Sequence, residues 1–212
     1  MTINVLPDLS VVVKAPETIP YEKVVKKIKA RLPWILKQRE YFEQFLPPET
    51  PRQYISGENH RYLGRQFRLK IRSSKKDRVK LKGKYFLVCS QNKKDPDYNK
   101  QLLAEWFRQH GSIYLERVLG NCYPKLRKYG VEKPSFEIRP LKKRWGSSDP
   151  EKGIISFNIN LIKAPIHCIE YVVTHELVHL KYPYHNKEFY NLLSLVMLEW
   201  EEHKLRLETV KF

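Results

Sequence analysis

The sequence predicts an α+β fold in which a basic, β-rich N-terminal region precedes a mixed sheet and a helix carrying a metal-ligand motif. Three observations predict it. Apolar residues recur at helical spacing early in the chain, and they switch to strict alternation after Tyr54. Helical spacing then returns between Pro165 and Tyr182, where His175, Glu176 and His179 form HExxH. With 212 residues, 42% of them hydrophobic, the chain can bury a sizeable core as one large domain or two small ones.

Taken in order, Leu9 to Lys14 is β-branched and bounded by Pro7 and Pro16, which predicts a first strand. From Pro20 onward Tyr21, Val24, Val25 and Ile28 repeat at helical spacing with Lys23, Lys26, Lys27 and Lys29 between them. One helix is expected there and a second after Pro33, through WILKQREYFEQF. Phe67, Leu69 and Ile71 then alternate with Arg68, Lys70 and Arg72, and Val79 and Leu81 with Lys80, Lys82 and Lys84. Two strands sharing one basic face are implied. Asn92 to Tyr98 is polar and turn-rich, and a long or twice-broken helix follows it to Gly130. A domain boundary is expected here, with residues 1–95 forming a basic region of helix and strands and residues 96–212 a second domain led by the long helix. SFEIRPL, RWGSS and GIISFNI read as strands, Pro165 to about Tyr182 as a helix, and the chain from Asn186 as one or two more.

In the predicted metal helix Ile169, Val172, Val173, Leu177 and Leu180 form the apolar stripe. Side chains four apart on a helix have Cβ atoms about 5–6 Å apart, so His175 and His179 can reach one ion at the ~2.0–2.1 Å that zinc requires. Glu176 lies roughly 100° further round the axis, placed to act on a water at the metal as a general base rather than as a ligand. A catalytic zinc needs a third protein ligand and an open position. Two residues qualify. Pro183 should stop the helix and turn the chain back before His185, whereas Glu199 lies twenty residues beyond His179 on the following helix, a placement that resembles that of the glutamate ligand in thermolysin-like enzymes. Cys168 is seven residues from His175, roughly 10 Å along the axis, too far to share the ion. Arg144, Tyr182, Tyr184 and Tyr190 are candidate donors to an oxyanion, and Trp145 a packing anchor.

RWGSS (Arg144 to Ser148), GIISFN (Gly153 to Asn158), Pro165 and YVVTHELVHLKYPYHNKEFY (Tyr171 to Tyr190) resemble, in order, the blocks of the YgjP-like metallopeptidase family, and ISGENHRYLGRQFRLKI (Ile55 to Ile71) resembles its N-terminal strand region. The resemblance implies a zincin-like metallopeptidase domain cutting peptide or protein substrates. It implies Zn2+ held by His175, His179 and His185, with Glu176 as the catalytic base, and so supports His185 over Glu199. Ser148 stands where the family often has cysteine and Tyr190 where it often has tryptophan; neither is a proposed ligand. SprT-like proteases, which act on DNA-bound proteins, resemble the arrangement more distantly.

A formal net charge of +17 favours polyanionic partners. Eleven Lys or Arg and one Asp lie between His60 and Lys84, which makes nucleic acid a candidate second partner at Arg68, Lys70, Arg72, Lys80, Lys82 and Lys84. Paired side by side, such strands would set like charges opposite one another, a destabilising arrangement. Three cysteines without a CxxC pair suggest a reducing, cytoplasmic setting rather than a disulfide framework. No signal peptide and no membrane-spanning run is expected.

Overall fold

The computed structural model describes residues 1–5, 10–16, 18–43, 52–141 and 144–208. Leu9, the expected start of the first strand, and Gln44 and Phe45, the expected end of the second helix, lie outside them. The chain divides into two compact units, residues 1–51 and residues 52–210.

In the first unit β1 (Thr2–Val5) pairs antiparallel with β2 (Val11–Lys14), with Thr2 opposite Lys14. A single helix, α1 (Tyr21–Glu43), follows and runs through Pro33. The expected break at that proline does not occur. A proline inside a helix removes one backbone hydrogen bond and crowds the preceding turn, and a helix of 23 residues keeps the bonds on either side.

The second unit begins with a four-stranded sheet in the order β3-β4-β6-β5, formed by β3 (Asn59–Tyr62), β4 (Arg65–Ser73), β5 (Arg78–Lys82) and β6 (Tyr85–Ser90). β4 and β6 are parallel, and the other pairs are antiparallel. The two basic strands foreseen from alternation, β4 and β5, are therefore not neighbours. β6 lies between them, paired on one side with β4 and on the other with β5, and its sequence YFLVCS shows no polar alternation.

The buried faces of β4 and β6, with Leu69, Ile71, Phe86 and Val88, share one core with α2 (Pro96–Arg127) and the rest of this unit. The sheet and α2 thus lie together in the unit of residues 52–210. Asp95 caps α2, its carboxylate accepting from the Asp97 and Tyr98 N–H groups. Phe86, with no exposed surface, meets Phe67, Trp106 and Phe107 ring to ring at 4.9–5.5 Å. Phe86→Ala should lower unfolding free energy by about 3–5 kcal/mol with little change in the denaturant slope, read by urea titration.

A second, mixed sheet has the order β7-β9-β8, formed by β7 (Ser135–Arg139), β8 (Gly146–Asp149) and β9 (Ile154–Asn158), with β9 parallel to β7 and antiparallel to β8. A 3-10 helix (Ile159–Lys163) leads into α3 (Ile166–His179), and α4 (Lys187–Val196) and α5 (Trp200–Glu208) follow. The start of α3 is clamped by the β3–β4 turn: Leu63 N–H donates to Ile162 O at 2.9 Å and Gly64 N–H to Lys163 O at 3.2 Å. Gly64, at φ +77°, comes so close that a Cβ there would lie 2.9 Å from Pro165 Cα. α3 packs against α2, α4, α5 and β8, and Cys168, Ile169, Val173, Leu177 and Val178 on it are wholly buried. Among the described residues no helix is long and apolar enough to cross a membrane.

Candidate metal centre

α3 ends at His179, and the next turn is closed by Tyr182 N–H donating to Val178 O at 2.9 Å before Pro183 redirects the chain. Asn186 then caps α4, its side chain accepting from Phe189 N–H at 2.9 Å, so His185 sits just ahead of a fixed helix start. The result is convergence: the Nε2 atoms of His175, His179 and His185 lie 3.1 Å from one another in all three pairs. Beneath them is Phe189, fully buried, with its ring centroid 4.5–5.0 Å from each imidazole. Tyr190 stacks on His185 at 6.0 Å and on Trp200 at 5.3 Å.

The chemistry of this donor set fits a cation. His179 Nδ1–H donates to Tyr182 O at 3.0 Å, which leaves its Nε2 as a lone pair. Burial depresses all three histidine pKa values. His175, pulled down to about 3 by burial and then by its two neighbouring imidazoles, is neutral at any ordinary pH. Three neutral rings whose Nε2 atoms converge on one point can together offer lone pairs to one positive ion. The corners of a 3.1 Å triangle lie about 1.8 Å from its centre, a spacing that would suit three ligands of one ion at the ~2.0–2.1 Å zinc–nitrogen distance. Among the described residues this is the one such group that could hold a metal. Glu199 is elsewhere, largely exposed and 3.8 Å from His203, and Cys168 places its Sγ 3.6 Å from His203 O.

Glu176, 6% exposed, lies on the cavity side of α3 against β8. Its carboxyl pKa is pushed up to about 7 by burial, opposed by a hydrogen bond from Ser148 and by the Arg144 charge. A bound divalent cation would act against that rise. Ser148 Oγ lies 2.6 Å from Glu176 Oε2 and 2.8 Å from Glu176 O, so a single hydroxyl ties the carboxylate to its own backbone. Gly146 leaves the space for it, since a Cβ there would sit 2.7 Å from Glu176 Cγ and Oε1. Ahead of β8 the buried Asn158 side-chain amide donates to Leu141 O and Arg144 O, both at 2.8 Å. Sequence reasoning missed the roles of Gly146, Ser148 and Phe189.

Gly146→Ala should therefore displace Glu176 and cut peptide cleavage about 10²-fold while the melting temperature moves little, as misplacing a reacting group by 1 Å does. Steady-state kinetics beside a thermal melt would show it.

A cavity of about 530 Å3 opens before the histidines, walled by Arg144, Trp145, Tyr171, Lys204 and Leu207. A second hollow, containing Glu137, Arg139, Lys152 and Tyr184, shares Ser147, Ser148, Pro150 and Pro183 with it. The two adjoin along β8.

With this geometry in hand, the family model of the YgjP-like metallopeptidase domain matches residues 1–210. The chain belongs to the YgjP-like metallopeptidase family. It is thus a peptidase, a hydrolase of peptide bonds in protein or peptide substrates, and membership implies a metal ion. The metallopeptidase zymogen abylysin from Pyrococcus abyssi, a solved structure, is 26% identical, with 45% of this chain and 92% of that chain covered and a TM-score of 0.41. Comparison with curated proteins returns no match.

Proposed function

We propose that this YgjP-like chain is a zinc-dependent peptidase in which His175, His179 and His185 hold the metal and Glu176 is the general base. The observation that carries the reading is the convergence of three imidazole Nε2 atoms beside a buried carboxylate at a cavity. Zinc held there supplies Lewis-acid activation of water and of the scissile carbonyl. Glu176 takes the proton of the attacking water and delivers it to the leaving amine. Ser148 holds the Glu176 carboxylate in place through its hydroxyl. Of the four candidate oxyanion donors, Arg144 is the one that lines this cavity; Tyr184 lines the adjoining hollow and Tyr190 stacks on His185.

An extended substrate adds to the outer edge of β8, which runs past both hollows. GIISFN (β9) offers no such edge, because it is hydrogen-bonded on both sides. Free Cys89, Cys122 and Cys168, two of them buried, support a reducing, cytoplasmic setting.

The reading is tested by stripping metal with a chelator and following cleavage of labelled casein. Zinc should restore activity and Mg2+ or Ca2+ should not, since nitrogen ligands favour the former. Undiminished cleavage by the stripped protein, or rescue by Mg2+ alone, would contradict it.

A further inference from the structure

The solvent face of the first sheet is a patterned surface. On β4 Arg68, Lys70 and Arg72 are exposed, and on β5 so are Arg78, Lys80 and Lys82, while Leu69, Ile71, Phe86 and Val88 point the other way into the core. The register sets these side chains in three rows across β6: Arg68–Tyr85–Lys82, Lys70–Leu87–Lys80 and Arg72–Cys89–Arg78. Each row is a cation, a neutral side chain and a cation. Arg78 takes the place expected for Lys84, which lies in the turn ahead of β6 and gives its carbonyl to Arg68 N–H.

With β6 between them the two lines of charge stand roughly 9.6 Å apart, twice the strand spacing, so the like-charge penalty of direct cross-strand neighbours is avoided. Along each line the cations repeat at about 6.8 Å. Among the described residues none of the six forms an ion pair with a carboxylate. The nearby Asp77 is occupied by Gln91 and by the Tyr98 hydroxyl. Down the middle run Tyr85, Leu87 and Cys89; Tyr85 is 42% exposed, and Lys70 Nζ stands 5.6 Å from its ring centroid.

We propose that this face binds single-stranded nucleic acid, its phosphates running along the cation lines and a base stacking on Tyr85. Charge complementarity calls for a regularly spaced polyanion, and the neutral central line calls for one with flat apolar faces between its charges. Single strands have both. A duplex hides its base faces, and this flat sheet face offers nothing to enter a groove. An acidic peptide would match the cations and leave the central line without a partner. The surface is separate from the histidine cluster, so binding does not depend on the metal or on Glu176.

The test is fluorescence anisotropy of the full-length protein with an oligothymidylate of about 20 nucleotides, a duplex of the same length and poly-glutamate, between roughly 50 and 200 mM salt. The single strand should bind tightest, with log K falling against log salt at a slope of about −4 for six phosphate contacts. The double variant Lys70→Glu/Lys80→Glu should weaken binding at least tenfold. Tyr85→Ala should weaken it roughly 5- to 150-fold and Tyr85→Phe restore it. Lys26→Glu/Lys27→Glu on α1, an equal charge change at exposed positions, should leave it within about twofold. The proposal is overturned if that control weakens binding as much as the face variant does. Indifference to Tyr85→Ala, or equal or tighter binding of duplex or poly-glutamate, overturns it as well.

Discussion

Glu176→Gln is expected to keep the metal and lose turnover by about 10²–10⁴-fold, the usual contribution of a positioned general base. The amide has the size of the carboxylate but cannot accept the proton of the attacking water. The residue packs in the space left by Gly146 and makes no contact that the histidines need for convergence, so metal content should match wild type. The measurement is kcat on a quenched peptide beside metal analysis of the same sample. A variant that turned over at the wild-type rate would remove Glu176 from the chemistry.

His185→Ala should cost both metal and activity. It deletes one corner of the triangle and leaves two nitrogens on α3, short of the three protein ligands a catalytic zinc site uses. Retained zinc should fall from about one per chain to well below that after dialysis, with cleavage falling in parallel. Glu199→Ala should change neither, because Glu199 faces solvent beside His203. His185 lies in the loop ahead of α4 and is exposed, so the substitution should leave the melting temperature of the metal-free protein nearly unchanged.

The core of the site was legible because it rests on local geometry. Helical spacing puts His175 and His179 on one face, and Pro183 turns the chain so that His185 returns to them. What was not legible depends on which strands pair. YFLVCS has no alternation to announce a strand, so the insertion of β6 between β4 and β5 was invisible, and with it the three charged rows. The same holds for β8: only the sheet order shows that it, and not GIISFN, is the outer strand. Gly146 and Ser148 are thirty and twenty-eight residues from Glu176 in sequence, and their contacts with it come from packing α3 against β8. Pro33 misled in the opposite sense: a local rule predicted a break that the longer helix absorbs.

In the proposed site three imidazoles alone anchor the catalytic ion, and X-ray absorption at the zinc edge of the zinc-loaded protein is the sharpest check. Three histidine nitrogens and one further light atom at ~2.0–2.1 Å, with no sulfur, are expected. A zinc–sulfur distance near ~2.3 Å, or a site whose histidine signal survives unchanged in His185→Ala, would contradict it.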